Sequence, residues 1–457
     1  MMSKVSYRRS AMKHGPSMAF FLNVFLISAA GPAYGNEIQE TGKASEDAYA
    51  TPAEDFSVSD LKRGYRLQKA IELNAEWNLQ KFLDITESGA YSYFNLPEFL
   101  PHAVIRRDGA VSELVSEPDP SVGKTTLPNE AGEKVRLEAM ITSSESPVQG
   151  FMVVRGGRKI FESYPGMRKT DRHVWMSNAK VVAGLLIAQL QEEGLLDVQK
   201  AVSHYVPETK GTAWEKIKVL DVMNMQSGLD LEENPASRKG GSPYSVLVRA
   251  EVGLPSPSGE KLTHNEALLR IPKLREPGQA FEYSSANTQM LGLVIEAVAQ
   301  KRLGEVISER IWMKSGMAGD ATLGLTPRGN GIIHGLVSSR LDDMARFGML
   351  FTPSWKLLSS EQLVSDEVLK RMQTSGVREN YLKGTLGPRL AEEFRERPMF
   401  NSYQWDAVFE DGDLYKSGMN GQGLYVSPAK NLVIVWFATG FPEIPLEAFS
   451  RAIVKAF

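Results

Sequence analysis

Apolar residues follow a helical pattern in the middle of the chain and β-type patterns on either side of it. One run from Val181 to Leu190 is apolar almost all the way round and leads through polar residues to Gly194. Such a run is typical of a helix buried on every side, and glycine is suited to the left-handed conformation that ends helices. The pattern therefore predicts a core helix with Ser177 in its first turn.

Short runs rich in β-branched and aromatic residues predict antiparallel strands. Two of them surround Gly156-Gly157 and predict a hairpin over residues 149–163. Others follow one another near the C-terminus, separated by turn residues. These later strands are expected at Trp405 to Phe409, Asp413 to Ser417, Gly423 to Ser427 and Leu432 to Thr439. An amphipathic helix from Glu443 to Phe457 is expected to follow them.

Helices and a long loop are predicted between these strands. Leu67 to Leu83 and Val337 to Phe351 have apolar residues at helical spacing. The stretch from Gly240 to Lys261 is rich in glycine, proline and serine, which predicts a loop of the kind that borders binding sites.

The first 135 residues divide by composition into three parts. Basic residues precede an apolar run from Met18 to Ala30, and small residues follow, which predicts a secretory signal peptide over residues 1–35. We therefore expect export, to the periplasm of a bacterium, with an uncleaved signal anchor as the alternative. Residues 36–63 are acidic and predict a mobile linker, and residues 64–135 are interpreted as an N-terminal embellishment.

Composition and charge exclude several classes of function. A length of 457 residues with 42% hydrophobic residues allows a large core, while a net charge of -3 offers no basic face for nucleic acid. The absence of cysteine excludes disulfides, thiol catalysis and cysteine-ligated metals. The six histidines have no metal-ligand spacing, so neither a metal site nor a cofactor is predicted.

Ser177 and Lys180 are the first candidates for catalysis. Three residues apart at the start of a helix, their side chains project from one face, close to unpaired N–H groups that favour an oxyanion. A lysine in an apolar setting loses solvation of its charged form, so a neutral amine able to take the serine proton becomes accessible. Ser-x-x-Lys also occurs at Ser10, Ser59, Ser121, Ser258 and Ser427. Only Ser177 opens a buried helix, although a helix N-terminal serine beside a snorkelling lysine has the same pattern.

Two later motifs complete a series. Tyr283-Ser-Ser285 follows a Pro-Gly turn and comes just before a predicted helix, where the tyrosine also fits a core ring with a capped hydroxyl. Lys416-Ser-Gly418 lies in the predicted C-terminal strands. The three motifs in this order resemble the serine β-lactamase and penicillin-binding protein superfamily, from about residue 140 to the C-terminus. Within it, the chain looks closest to nylon-oligomer (6-aminohexanoate-dimer) hydrolases and class C-like esterases.

The resemblance implies an α/β (α+β) fold of the β-lactamase/transpeptidase type. An antiparallel β-sheet flanked by helices would form a domain over residues 136–457, with an all-helical subdomain at roughly residues 198–330. The site would lie in the cleft between them.

The resemblance also implies a role for each motif residue. Ser177 would be the acylated nucleophile, Lys180 its base, and Tyr283 the group that shuttles a proton, held by Lys416, which would lower its pKa. The N–H groups of Ser177 and Met419 would form an oxyanion hole, and Ser285, Ser417 and Gly418 would contact substrate. Ser285 stands where class C β-lactamases carry asparagine, and Asn287 comes two residues too late, which disfavours cephalosporins.

These expectations describe an exported serine hydrolase that cleaves small esters or amides through an acyl-enzyme on Ser177. Its partner would be a small ester or amide, with peptidoglycan-derived compounds among the candidates. We expect no binding to nucleic acid and no stable membrane span after cleavage of the signal peptide. Two alternatives remain open. One is a D-alanyl peptidase or β-lactamase, and the other is a non-catalytic protein that binds ligands in the same cleft.

Overall fold

The computed structural model describes residues 56–457 except Pro235 and Lys239. The predicted signal peptide (residues 1–35) and most of the predicted linker lie outside the described residues. The last residues assigned to the linker form a helix, α1, which begins at Val58 and ends at Arg63.

The β-strands are all paired antiparallel within the described residues. They are β1 (His102–Ile105), β2 (Thr126–Pro128), β3 (Lys134–Arg136), β4 (Val148–Arg155), β5 (Arg158–Ser163), β6 (His173–Val174), β7 (Ala321–Gly324), β8 (Val337–Ser339), β9 (Phe400–Ser402), β10 (Trp405–Val408), β11 (Leu414–Gly418), β12 (Gln422–Ser427) and β13 (Leu432–Ala438).

The α-helices that follow α1 are distributed from Leu67 to Ala456. They are α2 (Leu67–Glu76), α3 (Leu79–Leu83), α4 (Glu87–Phe94), α5 (Pro120–Gly123), α6 (Leu137–Ile141), α7 (Lys180–Glu192), α8 (Val219–Met223), α9 (Pro243–Glu251), α10 (His264–Leu269), α11 (Ser285–Ala299), α12 (Leu303–Arg310), α13 (Leu341–Met349), α14 (Asp366–Thr374), α15 (Leu386–Glu393) and α16 (Leu446–Ala456). In the part of the chain from residue 56 onward, no helix combines the length and the apolar character needed to cross a membrane.

A seven-stranded sheet in the order β5-β4-β13-β12-β11-β10-β9 is the centre of the fold. Its strand β13 is apolar throughout, and successive side chains enter two different cores: Val433 and Val435 pack with α7 and α13, whereas Ile434 and Trp436 pack with α16. A strand that is apolar at every position is typical of a sheet covered on both faces. The predicted fold class, an antiparallel sheet flanked by helices, is confirmed.

Most of the predicted elements are present. The β4–β5 hairpin turns at Gly156 and Gly157, which have φ of 57° and 77°, and the C-terminal strands and helix lie where the pattern indicated. The helix expected from Leu67 to Leu83 is interrupted after Glu76, because the Asn78 side chain accepts the Lys81 N–H and begins α3.

Two of the predicted secondary-structure elements were wrong. The stretch from Gly240 to Lys261 is not one loop, because Pro243–Glu251 forms α9, with Ser242 as its N-cap and proline at the start of the helix. The helix predicted from Val337 begins later, since Val337–Ser339 forms strand β8, which pairs with β6 and β7.

A smaller sheet supports the turn that leads to Ser177. Its order is β1-β7-β8-β6, so the short strand β6 is held at one edge by β8. Next to it, aromatic residues of the N-terminal segment, including Phe82, Tyr93 and Phe99, form a core cluster with Val174 and Met176. The N-terminal segment is thus packed against the backbone that carries Ser177.

Candidate active site

Ser177 lies in a single 3-10 turn, Met176–Ala179, directly before α7. The turn is anchored through Trp175, whose N–H donates to Val337 O at 2.7 Å and whose indole Nε1 donates to Ser339 Oγ at 2.8 Å. Met176 has φ of 48°, a region that non-glycine residues seldom adopt and that is frequent at functional sites. Ser177 itself is partly exposed, so its hydroxyl is accessible from the cleft.

Lys180 is fully buried at the start of α7, and its ammonium nitrogen contacts three oxygens. Lys180 Nζ lies 3.0 Å from Ser177 Oγ, 2.9 Å from Ser285 Oγ and 2.8 Å from the backbone oxygen of His334. Burial, together with the nearby charge of Lys416, lowers the pKa of Lys180 to about 7, although Glu233 opposes this shift. A neutral amine in contact with the Ser177 hydroxyl is therefore accessible near neutral pH.

Tyr283 is partly buried between the two lysines. Its hydroxyl is hydrogen-bonded with Ser177 and lies 3.3 Å from Lys416 Nζ. Lys180 Nζ and Lys416 Nζ lie 5.2 Å and 4.8 Å from the centroid of its ring. Burial, with the charges of Asp406 and Glu233, raises the pKa of Tyr283 well above its usual value. The expected lowering of this pKa is therefore wrong, and Tyr283 is a phenol that can donate a proton.

After burial, the charge of Asp406 contributes most to this difference, and the sequence analysis missed it. Its Oδ2 accepts from Lys416 Nζ at 2.7 Å, from the Ser417 N–H at 3.0 Å and from the Ser417 hydroxyl at 2.5 Å. Both members of the Lys416–Asp406 pair are almost completely buried. The positive charge that Lys416 would offer to Tyr283 is thus largely compensated. In the sequence, a carboxylate within the otherwise apolar strand β10 was the signal that could have indicated a buried ion pair.

The end of β11 packs closely against the turn that carries Ser177. A side chain at Gly418 would meet Asn178 Nδ2 at 2.8 Å and Trp175 O at 2.9 Å, so only glycine allows this approach. Ser177 and Met419, the two residues predicted to form an oxyanion hole, both line the same cleft. The arrangement brings their backbone segments together.

The three predicted substrate contacts have different surroundings. Ser285 lines the cleft, and its hydroxyl also accepts from Lys180. Ser417 is buried, and its hydroxyl donates to Asp406. Gly418 is partly exposed beside the Ser177 turn. Ser285 and Gly418 are thus placed for contact with a ligand, whereas Ser417 is positioned to hold Asp406.

The cleft beside Ser177 is lined by apolar side chains and by carboxylates. Several apolar lining residues come from the N-terminal segment. These residues are Trp77, Leu79, Phe82, Leu83 and Leu100. The lining also includes Glu233 and Glu251. A ligand in this cleft would therefore meet both apolar and acidic side chains.

A cluster of Glu251, His264 and His334 lies in the cleft wall next to Lys180. His334 Nε2 is 2.7 Å and His264 Nε2 is 3.3 Å from Glu251 Oε1. Although burial opposes it, His334 and His264 hold the pKa of Glu251 at about 2. The three residues come from α9, α10 and the segment between β7 and β8, so no sequence spacing could reveal their proximity.

Together, the described groups can perform acyl transfer. Ser177 supplies a nucleophilic oxygen, Lys180 a base of suitable pKa, and Tyr283 a proton donor, and Ser177 is in contact with both of the others. The six histidines of the sequence are not needed for this chemistry. His173, four residues before Ser177, is fully buried, and burial lowers its pKa to about 3.

Comparison with known proteins gives a family model described as Beta-lactamase, which matches residues 138–455. Among curated proteins, the 6-aminohexanoate-dimer hydrolase of Paenarthrobacter ureafaciens is 29% identical over 361 residues, covering 76% of this chain and 84% of that protein.

Solved structures share the fold over most of the chain. One from Bacillus anthracis, described as a 6-aminohexanoate-dimer hydrolase, has a TM-score of 0.66 at 24% identity and covers 81% of this chain and 94% of its own. Another, described as a beta-lactamase from Bacteroides dorei DSM 17855, has a TM-score of 0.52 at 18% identity and covers 68% of this chain and 93% of its own.

Proposed function

The chain belongs to the Beta-lactamase family, and we propose that it is an exported serine hydrolase that cleaves small esters or amides through an acyl-enzyme on Ser177. One observation carries the proposal. Lys180 Nζ lies 3.0 Å from Ser177 Oγ, and the pKa of Lys180 is lowered to about 7. A serine held by a partly neutral amine is an activated nucleophile.

In the acylation step, neutral Lys180 takes the proton of the Ser177 hydroxyl while Oγ attacks the substrate carbonyl carbon. The N–H groups of Ser177 and Met419 stabilise the oxyanion that forms. Tyr283, whose raised pKa keeps it protonated, gives its proton to the leaving oxygen or nitrogen as the old bond breaks. The proton held by Lys180 then restores the phenol.

In the deacylation step, a water molecule attacks the acyl carbon. Its proton passes to the neutral Lys180–Tyr283 pair, and the Ser177 oxygen leaves and recovers a proton from the same pair. The Lys416–Asp406 pair keeps the Tyr283 hydroxyl in place, since Lys416 Nζ lies 3.3 Å from it. The products are a carboxylic acid and an alcohol or amine.

The lining of the cleft favours a short substrate that has an apolar part and a group able to donate hydrogen bonds to a carboxylate. The apolar wall suits an acyl chain or an aryl group, and Glu233 suits an amine or a hydroxyl. The similarity to a 6-aminohexanoate-dimer hydrolase makes that linear amide a suitable test compound beside a simple aryl ester.

The test is the intact mass of the protein during exposure to p-nitrophenyl butyrate, with nitrophenol release followed in parallel. We expect a butyryl adduct and turnover in the native protein, and neither in Ser177→Ala. Ser258→Ala is the matched control, because Ser258 begins another Ser-x-x-Lys sequence but is exposed outside the cleft, and it should behave as the native protein.

Other outcomes separate the alternatives. Stable labelling by penicillin together with slow ester turnover would favour a D-alanyl peptidase or β-lactamase. If neither compound reacted, while Lys180→Ala and Tyr283→Phe left ligand binding and the cellular phenotype intact, the non-catalytic binding protein would replace the hydrolase.

Export rests on the pattern of residues 1–35 alone. Expression of the full chain in a Gram-negative host should yield a mature protein in the periplasmic fraction, shortened by about the length of this segment. A full-length protein retained with the membrane fraction would instead indicate a signal anchor.

A further inference from the structure

We propose that Glu251, His264 and His334 bind one divalent transition-metal ion, Zn²⁺ by its ligand preference, in the wall of the cleft. The proposal concerns metal binding and does not depend on hydrolysis at Ser177.

The geometry of the three side chains carries the proposal. One donor atom from each of them lies within 4.8 Å of the other two, and two of these separations are 2.7 Å and 3.3 Å. Ligand atoms around a tetrahedral Zn²⁺, with bonds of about 2.0 to 2.1 Å, lie about 3.3 Å apart. Small side-chain movements would therefore bring the three donors to coordination distance.

His264 provides an independent observation. Its side chain is completely buried, and across the described residues neither ring nitrogen makes a hydrogen bond of good geometry, since Nε2 only approaches Glu251 Oε1 at 3.3 Å. Buried polar atoms without a partner are costly and rare. Glu251 already receives a hydrogen bond from His334, so its pairing does not require a second imidazole. A metal ion at the centre of the cluster would give His264 Nε2 a ligand bond.

The donor set identifies the class of ion. Imidazole nitrogens favour zinc and other transition metals, whereas Ca²⁺ and Mg²⁺ prefer oxygen ligands. Two histidines and one glutamate are also a set that leaves a fourth position of zinc open. Glu251 and His334 line the cleft, so the ion could enter from it and the open position would face it.

Three secondary-structure elements position these ligands. Glu251 is the last residue of α9, and His264 is the first residue of α10, where Thr263 and Glu266 form a capping box. His334 is fixed through its backbone oxygen, which accepts from Lys180 Nζ at 2.8 Å. The ligands are therefore held largely in place before an ion binds.

The test uses the full chain, stripped of metal with a chelator and titrated with Co²⁺ as a spectroscopic substitute for Zn²⁺. We expect one Co²⁺ per chain, with visible absorption bands of a low-coordinate nitrogen and oxygen site, and displacement of the bands by Zn²⁺. Zn²⁺ should also raise the melting temperature of the metal-free protein, because a ligand that binds only the folded state stabilises it.

Variants assign the binding to the cluster. His264→Gln and, separately, Glu251→Gln should weaken Co²⁺ binding by about 100-fold or more, which exceeds the usual effect of outer-shell changes. His204→Gln is the matched control, because His204 is exposed and outside the cluster, and it should bind as the native protein does. Circular dichroism of each metal-free variant shows whether it is folded. If one of the two variants does not fold, the other one is used for the test.

The proposal is overturned if the native chain binds no Co²⁺ near one equivalent, or if folded His264→Gln and Glu251→Gln bind it as tightly as His204→Gln. Ser177→Ala should bind Co²⁺ normally. A protein that binds Co²⁺ but releases no nitrophenol would therefore leave the metal site standing and the proposed hydrolase function refuted.

Discussion

Lys180 sets the pH dependence of the proposed reaction. Because only its neutral form accepts the Ser177 proton, activity is lost as the pH falls through its pKa of about 7. We expect kcat/KM for p-nitrophenyl butyrate to fall about tenfold per pH unit below this value and to level off above it. Measurement of kcat/KM from pH 5 to pH 9, in buffers of constant ionic strength, tests the expectation.

The charge of Glu233 provides a second test of the assignment of this pKa to Lys180. Its charge raises the pKa of Lys180, so Glu233→Gln should move the acidic limb to lower pH by about 1 unit. The exposed Glu276, which pairs with Lys273 on the surface, provides the matched variant Glu276→Gln, and its limb should not move. A limb that stays fixed in Glu233→Gln would mean that another group controls the acidic side.

The Lys416–Asp406 pair couples stability to activity. Asp406→Asn leaves a buried lysine without its counter-ion, and we expect the free energy of unfolding to fall by about 3 kcal/mol or more. Because the pair fixes Tyr283, kcat should fall by about 100-fold or more. Urea unfolding and nitrophenol release measure the two effects.

The double variant Asp406→Asn/Lys416→Met separates the loss of stability from the loss of activity. Removal of both buried charges should restore more than half of the lost stability, since the uncompensated charge is the main cost. Activity should stay low, because Tyr283 has lost the contact with Lys416. The single variant Lys416→Met completes the comparison. If the double variant lost as much stability as Asp406→Asn and Lys416→Met lose together, the pairing would not explain the loss of stability.

The residues of the three motifs could be singled out from the sequence because each stands at the start or end of a recognisable element. The structure brings Ser177, Lys180, Tyr283 and Lys416 into one contact network. Asp406 could not be paired with Lys416 from the sequence, since the contact depends on the register of β10 against β11. Burial of Tyr283, together with the charge of this missed partner, reversed the expected pKa shift of Tyr283.

At the scale of elements, Gly184 allows α7 to pack directly against the backbone at Tyr403. A side chain at Gly184 would lie 2.2 Å from the backbone oxygen of Tyr403, which cannot move as a side chain can. Gly184→Ala should therefore lower the free energy of unfolding by about 2 to 3 kcal/mol despite the higher helix propensity of alanine. Since α7 carries Lys180, kcat should fall as well, and both are measurable by urea unfolding and ester turnover.

Gly292 in α11 is the matched control for Gly184. A side chain there would meet side-chain atoms and no backbone atom: Ile333 and Leu303, both at 3.2 Å, and Gln289 at 3.9 Å, and these can adjust. Gly292→Ala should stay within about 1 kcal/mol of the native stability. Equal destabilisation of the two variants would show that the Tyr403 contact is not the cause.

The elements that the sequence predicted correctly are those with local signals. The β4–β5 hairpin has its Gly-Gly turn, and α16 has a clear apolar face. In contrast, β6 has two residues, too few for any pattern, and its strand conformation depends on its pairing with β8. Helix α9 was missed because the glycine, proline and serine around it dominate the composition, although Ser242 and Pro243 are favourable starting residues for a helix.

At the scale of the whole molecule, the N-terminal segment forms part of the cleft. Asn420 Nδ2, next to the predicted oxyanion hole, donates to the Tyr93 hydroxyl at 2.6 Å and to Leu83 O at 3.2 Å. Trp77 and Phe82 of the same segment line the cleft. The sequence suggested only an embellishment, because these contacts join residues more than 300 positions apart. The segment is therefore expected to influence which substrates bind.

Trp77 provides the test of this influence. Trp77→Ala removes an apolar wall against which a longer acyl chain would pack, but it leaves the groups around Ser177 unchanged. We expect kcat/KM for p-nitrophenyl butyrate to fall about tenfold while that for p-nitrophenyl acetate changes much less, since contacts with one or two methylene groups are worth that much. Initial rates with the two esters measure the ratio.

Trp355→Ala is the matched control, because Trp355 is also partly buried but packs near Lys356, away from the cleft. It should leave the butyrate-to-acetate ratio as it is in the native protein, and melting temperatures of both variants show whether either change acts through unfolding. If Trp77→Ala reduced the rates of both esters equally, the N-terminal segment would support the fold of the Ser177 turn and not the choice of substrate. A selective loss of butyrate would instead make this segment a part of the binding site, contributed by a region outside residues 138–455, which the family model matches.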